Sequence, residues 1–370
     1  MTSRLSLVLI LSIAAAAPCA AQPKVAPANR PIRLAIAGLV HGHVQRFIRL
    51  AASRPEVQLV GLSDPDAELR TATADKTGVS RALLFADLET MLDKAQPDAV
   101  ATFTSTYDHP AVVAACAKRG IHVMMEKPLA VSVEHGQAIR DAAMRSGIHV
   151  IVNYETTWYA SHAALWQMLK VERQAGDIRK IVVMDGHQGP QEIGVGPEFF
   201  KWLTDPLLDG GGALFDFGCY GANLMTWLMD NARPLAVSAI TQTNKPSIYP
   251  RVDDEATILV QYPKAQGIAQ ASWNWPFGRK DLEVYAERGY AIATGGNSLK
   301  VRIGDAEAAR KLDPLPPGDR DEVAYLVSIV RGERKPDGLS SLENNLIVTE
   351  ILDAARESAR TGRTINLAGR

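Results

Sequence analysis

The sequence predicts an α/β protein built in two parts: an N-terminal doubly wound parallel sheet, followed by an α+β domain with a mainly antiparallel sheet. Three observations predict it. Over residues 32–154, apolar runs of strand length alternate with helix-length amphipathic stretches, the rhythm of right-handed βαβ crossovers. After residue 155 the rhythm changes to strand-like runs joined by short links, which suits antiparallel pairing. With 370 residues, 46% of them hydrophobic, the chain can bury the cores of two domains.

The elements follow in order. IRLAIAG (32–38) is an apolar run closed by glycine, the form of a buried parallel strand, and helical spacing follows across Val44, Phe47, Ile48 and Ala51. VQLVGLSD (57–64) is the second strand, DPDAELRTATADK its helix, and ALLF (82–85) a short third strand. DAVATF (98–103) is the fourth, and a helix opens at Asp108 with Pro110 suited to its first turn. IHVMME (121–126), a helix over 132–146 and IHVIVNY (148–154) complete this half. The second part starts with a helix over 162–172, then KIVVMDGH, then a glycine- and proline-rich loop to Gly210. A helix carrying ALFDFGCYGANL comes next, then strands at LAVSAITQ, ATILVQY, GIAQASW, LEVYAE, YAIATG and LKVRIG. Helices over 321–331 and 342–361 close the chain.

The domain plan is therefore a leader at 1–21, a proline-bearing linker at 22–31, a nucleotide-binding domain at 32–154 and a substrate domain at 155–370. The leader reading rests on Arg4 ahead of the apolar run Leu5 to Ala17 and the small residues after it, the layout of a cleaved general-secretion signal. That run is short for a membrane span, so the mature chain is expected to be soluble and periplasmic or secreted. A formal net charge of −1 offers no electrostatic case for nucleic acid, which leaves a small molecule as the expected partner. Of three cysteines, Cys19 belongs to the leader, and Cys116 and Cys219 lack framework spacing and are expected to be free and buried.

Four groups of residues could carry chemistry, and no metal site is among them. The first strand ends in GLVHGH, where a dinucleotide pyrophosphate meets a helix N-terminus: Gly38 fits the GxGxxG pattern, but Val40 and His43 stand at its later glycine places. Gly42 can restore close backbone approach, and His41 and His43 either reach a phosphate or cap the turn. Asp64 ends the second strand 26 residues after Gly38, where it either accepts from ribose hydroxyls or caps the following helix; no basic residue follows it immediately, which favours NAD over NADP. Glu126 and Lys127 end the fifth strand, and Pro128 restricts the lysine so that it can be aimed at a substrate hydroxyl or take part in a surface ion pair. Asp216, Tyr220 and Asn223, spaced four and three apart, share one face of a single helix behind Gly210, Gly211 and Gly212, which let the chain approach a ligand or merely support a buried hydrogen-bond set.

MEKPLAVS (125–132) followed by GGGALFDFGCYGAN (210–223) and a strand-rich second half resembles the Gfo/Idh/MocA family, named for glucose-fructose oxidoreductase, inositol dehydrogenase and a rhizopine-catabolism protein. The resemblance covers about residues 31–367 and implies a Rossmann-type first domain, NAD as cofactor and a homodimer or homotetramer joined through the second sheet. It also implies that Lys127 and Asp216 flank the substrate carbon and that Thr104 lies beside the nicotinamide ribose. Many members place histidine four residues after the aspartate; Tyr220 here is similar to the glucose-fructose oxidoreductase branch, where tyrosine transfers the proton and the lysine lowers its pKa. Trp273 and Trp275 either stack on a sugar or pack an interface. The expectation is an exported oxidoreductase on a sugar or cyclitol with tightly held NAD. The alternatives are a lyase or glycosidase working through a keto-sugar, and a non-catalytic sugar-binding protein.

Overall fold

The computed structural model of the chain describes residues 23–368, so the expected leader lies outside the described residues. The first domain runs β1 (Ile32–Ala37), α1 (Val44–Ala52), β2 (Val57–Ser63), α2 (Ala67–Thr77), β3 (Leu84–Phe85), α3 (Leu88–Ala95), β4 (Ala99–Thr102), α4 (His109–Ala117), β5 (His122–Glu126), α5 (Val133–Ser146) and β6 (Val150–Asn153). Three of its helices begin where short polar side chains satisfy free amides: Asp66 accepts from the Glu68 and Leu69 amides, Asp87 from that of Thr90 and Ser132 from that of His135. All six strands are parallel, in the order β3-β2-β1-β4-β5-β6. Register places Ala37 beside Ser63 and Thr102, and Glu126 beside Asn153. The carboxyl ends of the strands therefore share one edge, and β1, between β2 and β4, marks the switch point where such sheets open a crevice.

The second part adds α6 (Ala160–Trp166), β7 (Ile178–Gly186), α7 (Pro197–Leu203), α8 (Ala213–Asp216), α9 (Gly218–Leu228), β8 (Ala236–Gln242), β9 (Glu255–Gln261), β10 (Gln266–Ser272), β11 (Arg279–Ala286), β12 (Gly289–Thr294), β13 (Ser298–Ile303), β14 (Ala306–Ala309), α10 (Glu322–Val330), α11 (Leu342–Thr361) and β15 (Ile365–Asn366). Nine strands form one sheet in the order β14-β13-β12-β11-β7-β10-β9-β8-β15. The sheet is mainly antiparallel, but its central pair, β7 and β10, is parallel. Helices α8 and α9 lie in the connection between these two strands, which lets the chain return in the same direction. β14 and β15 escape sequence reading because they are short and one of them is fully exposed. α7, hidden in the glycine- and proline-rich loop, starts on Pro197.

Two apolar clusters hold the chain. In one, Val323, Leu326, Ile329 and Val330 of α10 pack with Ile32 of β1 and Phe47 and Ile48 of α1, so the late helix belongs to the first domain's core. The other joins the remaining face of the parallel sheet to α9, α11 and the second sheet, with Cys116 and Cys219 both free and buried within it. No helix among the described residues is long and apolar enough to cross a membrane.

The expected single helix after Gly212 is broken at Phe217 (φ −106°), between α8 and α9. The Tyr220 amide, which would continue an α-helical ladder onto Asp216, donates instead to the Phe217 carbonyl at 3.1 Å. That leaves the Asp216 carbonyl free to accept from Lys127 Nζ at 3.1 Å and from Cys219 Sγ at 3.2 Å.

Candidate active site

A cleft of about 690 Å³ opens between the strand ends of the first sheet and the α8–α9 break, and His41, His43, Lys127, Asp216, Tyr220 and Lys280 all face it. On its floor Lys127 Nζ is paired with Asp216 Oδ1, both residues only 6% exposed. Trp273 Nε1 donates to the second oxygen, Oδ2, at 2.9 Å, so the carboxylate is held from two sides. Burial opposes both charges, and their attraction wins: Lys127 is held above its usual range, and Asp216 is lowered to about 2. The Lys127–Pro128 peptide bond is cis. A fixed ammonium and a fixed carboxylate at a cleft floor can orient a substrate hydroxyl from both sides of its proton.

Tyr220 is 1% exposed, and its hydroxyl accepts from Lys280 Nζ at 3.3 Å. The ammonium of Lys280 lies 4.4 Å from the ring centre, nearer than that of Lys127 at 5.3 Å, and it is also paired with Glu155. The expectation that Lys127 lowers the tyrosine's pKa is therefore corrected. Burial pushes Tyr220 well above its ordinary value of 10, with Glu155 adding to the rise, so the phenol is protonated at neutral pH. Asn223 does not join this face. It is fully buried, with its amide donating to the Leu339 carbonyl at 2.9 Å and to Asn345. The break at Phe217 changes the phase between Asp216 and the residues of α9, which is why spacing alone misplaced it.

The glycine cluster also has a different task from the one expected. Gly212 lies so close to the Asp253 carbonyl that a Cβ would collide with it, and Asp253 accepts from the Gly212 amide at 3.2 Å and the Leu214 amide at 2.7 Å. The close approach is to the protein's own backbone, and it fixes the start of the segment that carries Asp216.

At the turn after β1, Gly38 adopts φ +78° and packs against Thr104, whose backbone nitrogen would stand 2.7 Å from any Cβ there. Asp64 Oδ2 accepts from the Leu39 amide at 2.8 Å and Oδ1 from the Asp66 amide at 2.9 Å. Asp66, not Asp64, caps α2. Asp64, Gly38, Thr104 and Ser63 line a second cavity of about 350 Å³. The His41, His43 and Val44 amides are each already bonded, to the Phe103 carbonyl at 3.1 Å, His41 Nδ1 at 3.2 Å and the His41 carbonyl at 3.1 Å. His41 itself is buried against Phe199 and Trp202 of α7 and lowered by that burial to about 3, so it carries no charge for a phosphate. Trp202 Nε1 donates to the Val40 carbonyl at 3.3 Å.

These surroundings test a nicotinamide dinucleotide in three places. Asp64 with its cavity fits the adenosine end, and Lys127 with the large cleft fits the reacting end. Over the turn between them, α7 lies directly on His41 and Gly42, whose missing Cβ faces Phe199, so a pyrophosphate reaches the turn only when α7 moves off it.

Of the remaining sequence candidates, Glu126 is 4% exposed and accepts from Asn153 Nδ2 at 3.1 Å, with His43 on its other side. Trp273 presents no free face because it is fully buried as the partner of Asp216. Trp275 is half-buried, its amide donating to the His187 carbonyl, and it stands outside the cleft lining. Lys280 and Glu155 were missed. They lie far apart in sequence, on β11 of the second sheet and after β6 of the first, in no motif, and only the meeting of the two sheets' elements brings Lys280 to both Glu155 and Tyr220.

Residues 32–154 match the profile described as "Oxidoreductase family, NAD-binding Rossmann fold", and residues 162–292 that of the "GFO/IDH/MocA C-terminal domain". The chain is 24% identical to a 1,5-anhydro-D-fructose reductase of Ensifer adhaerens, over 79% of this chain and 88% of the relative. Its fold is similar to that of an aldose-aldose oxidoreductase from Caulobacter crescentus in complex with glycerol, with TM-score 0.76, 22% identity, and coverage of 91% of this chain and 100% of the other. It is similar also to an inositol dehydrogenase homolog complexed with NAD+ from Azotobacter vinelandii, with TM-score 0.75, 22% identity, and coverage of 93% and 99%.

Proposed function

The chain belongs to the Gfo/Idh/MocA family of oxidoreductases, and from that premise we propose that it is an NAD(P)-dependent enzyme transferring a hydride to or from a carbon that bears a sugar or cyclitol hydroxyl. The observation that carries this reading is the buried Lys127–Asp216 pair braced by Trp273 on the floor of the large cleft. When bound, the nicotinamide supplies or accepts the hydride. Lys127 and Asp216 hold the substrate oxygen, and Tyr220, protonated and next to Lys280, exchanges a proton with it. The names of an anhydrofructose reductase, an aldose-aldose oxidoreductase and an inositol dehydrogenase homolog among the relatives support a polyhydroxylated substrate. Asp64, an acid directly after β2 with no basic residue immediately following it in sequence, supports NAD over NADP.

The leader-like first 21 residues support a location outside the cytoplasm, where scarce free nucleotide favours a tightly held cofactor. Ile240 and Leu259, 76% and 48% exposed on the second sheet, favour a homo-oligomer through that face.

Two variants test this reading. Tyr220→Phe is expected to lower kcat by about 10²–10⁴-fold against a panel of aldoses and inositols, with KM little changed. Turnover at the wild-type rate by the folded variant would remove Tyr220 from the reaction. Asp64→Ala is expected to weaken NAD binding by about 10–100-fold, measured by calorimetry, the loss of hydrogen bonds to a charged group. Unchanged affinity would leave Asp64 only as the brace of the Leu39 amide.

A further inference from the structure

The turn after β1 holds two imidazoles for which hydride transfer has no use, and β5 delivers a carboxylate to the same spot. His41, His43 and Glu126 each offer a ligand atom, and the three atoms lie within 4.8 Å of one another. His43 Nδ1 stands 3.3 Å from Glu126 Oε2. Ligands held about 2.0–2.1 Å from a tetrahedral ion are separated by about 3.3–3.4 Å, so this pair already spans one edge of such a site.

We propose that His41, His43 and Glu126 bind a divalent transition-metal ion, with a remaining coordination position open to the cleft beside Lys127. The site goes beyond the redox reading and does not depend on it. Two nitrogen donors and one oxygen suit zinc or iron(II), whereas magnesium and calcium take oxygen donors. Phosphate is the poorer occupant, because the Leu39, His41, His43 and Val44 amides are spent on protein acceptors and α7 packs over the turn.

The supporting residues are those a metal carboxylate needs. Trp158 Nε1 donates to Asn153 Oδ1 at 3.0 Å, and Asn153 Nδ2 donates to Glu126 Oε1 at 3.1 Å, which turns Oε2 toward His43. Ligation through His41 Nδ1 replaces the 3.2 Å bond from the His43 amide, the longest of the turn's internal bonds. An ion with an open position here polarises a substrate carbonyl or hydroxyl oxygen held near Lys127.

The test uses the full chain treated with a chelator and titrated, without nucleotide, with Zn2+ by calorimetry and with Co2+ by visible absorption. One ion per chain is expected, with Co2+ bands of a four- or five-coordinate site. Glu126→Gln, nearly isosteric, and His43→Ala should each weaken Zn2+ binding by more than tenfold, and Asn153→Ala by about 10–100-fold through loss of orientation alone. Thermal unfolding confirms that each variant is folded, and the wild-type Co2+ spectrum decides if one is not. Absence of saturable one-to-one binding by the wild type, or undiminished binding by folded Glu126→Gln and His43→Ala, overturns the site. NAD binding measured separately on the same protein shows which of the two readings fails.

Discussion

Lys127→Ala is expected to reduce kcat/KM on the aldose and inositol panel by at least about 10²–10⁴-fold and to destabilise the fold by about 3–5 kcal/mol. Both effects follow from burial. Removing the ammonium strands the Asp216 charge, 6% exposed, with the neutral Trp273 indole N–H as its side-chain donor. The double variant Lys127→Met, Asp216→Leu removes both charges, so urea denaturation should show it regaining most of the lost stability while remaining inactive. A double variant as unstable as the single one would show that the pair's geometry, not the stranded charge, sets the loss. The same pair gives an acid limb. Asp216, lowered to about 2 from 3.8, adds stability that is complete above about pH 4 and is lost as pH falls toward about 2. Wild type should lose this increment in urea midpoints measured across that window, and the double variant should not.

Gly212→Ala is the second large effect. Its Cβ would press on the Asp253 carbonyl, and backbone cannot rotate aside as a long side chain can. Overpacking of this kind costs about 1–3 kcal/mol, and the displaced Asp253 also releases the Gly212 and Leu214 amides. Because Asp216 follows directly, kcat/KM should fall more than the stability loss explains. Gly318→Ala, with open space around its position, is the control and should stay within about 0.5 kcal/mol of wild type. Equal behaviour of the two variants in unfolding and turnover would remove the glycine cluster from the positioning of Asp216.

Much of this protein was legible in its residues. The parallel half could be read because each strand is a short apolar run and three of its helices, α2, α3 and α5, start on a capping side chain, signals contained within a few positions of chain. Lys127, Asp216, Tyr220 and Asp64 were legible as candidates because the motifs that carry them sit at strand ends and beside glycine. Their actual contacts were not.

Local sequence could not reveal that the helix breaks at Phe217, that Asn223 turns inward or that Trp273 braces Asp216, because each depends on a partner more than fifty residues away. The parallel β7–β10 pairing and the cover of α7 over the glycine turn arise in the same way. Sequence by itself determined the order of elements, the two-part plan and the polar residues available, since periodicity and turn chemistry act over a single turn or strand. Tertiary structure decided which charges meet: Lys127 with Asp216, Lys280 with Tyr220, and His43 with Glu126. Burial then set their protonation, because the cost of an unpaired charge depends on what surrounds it in space.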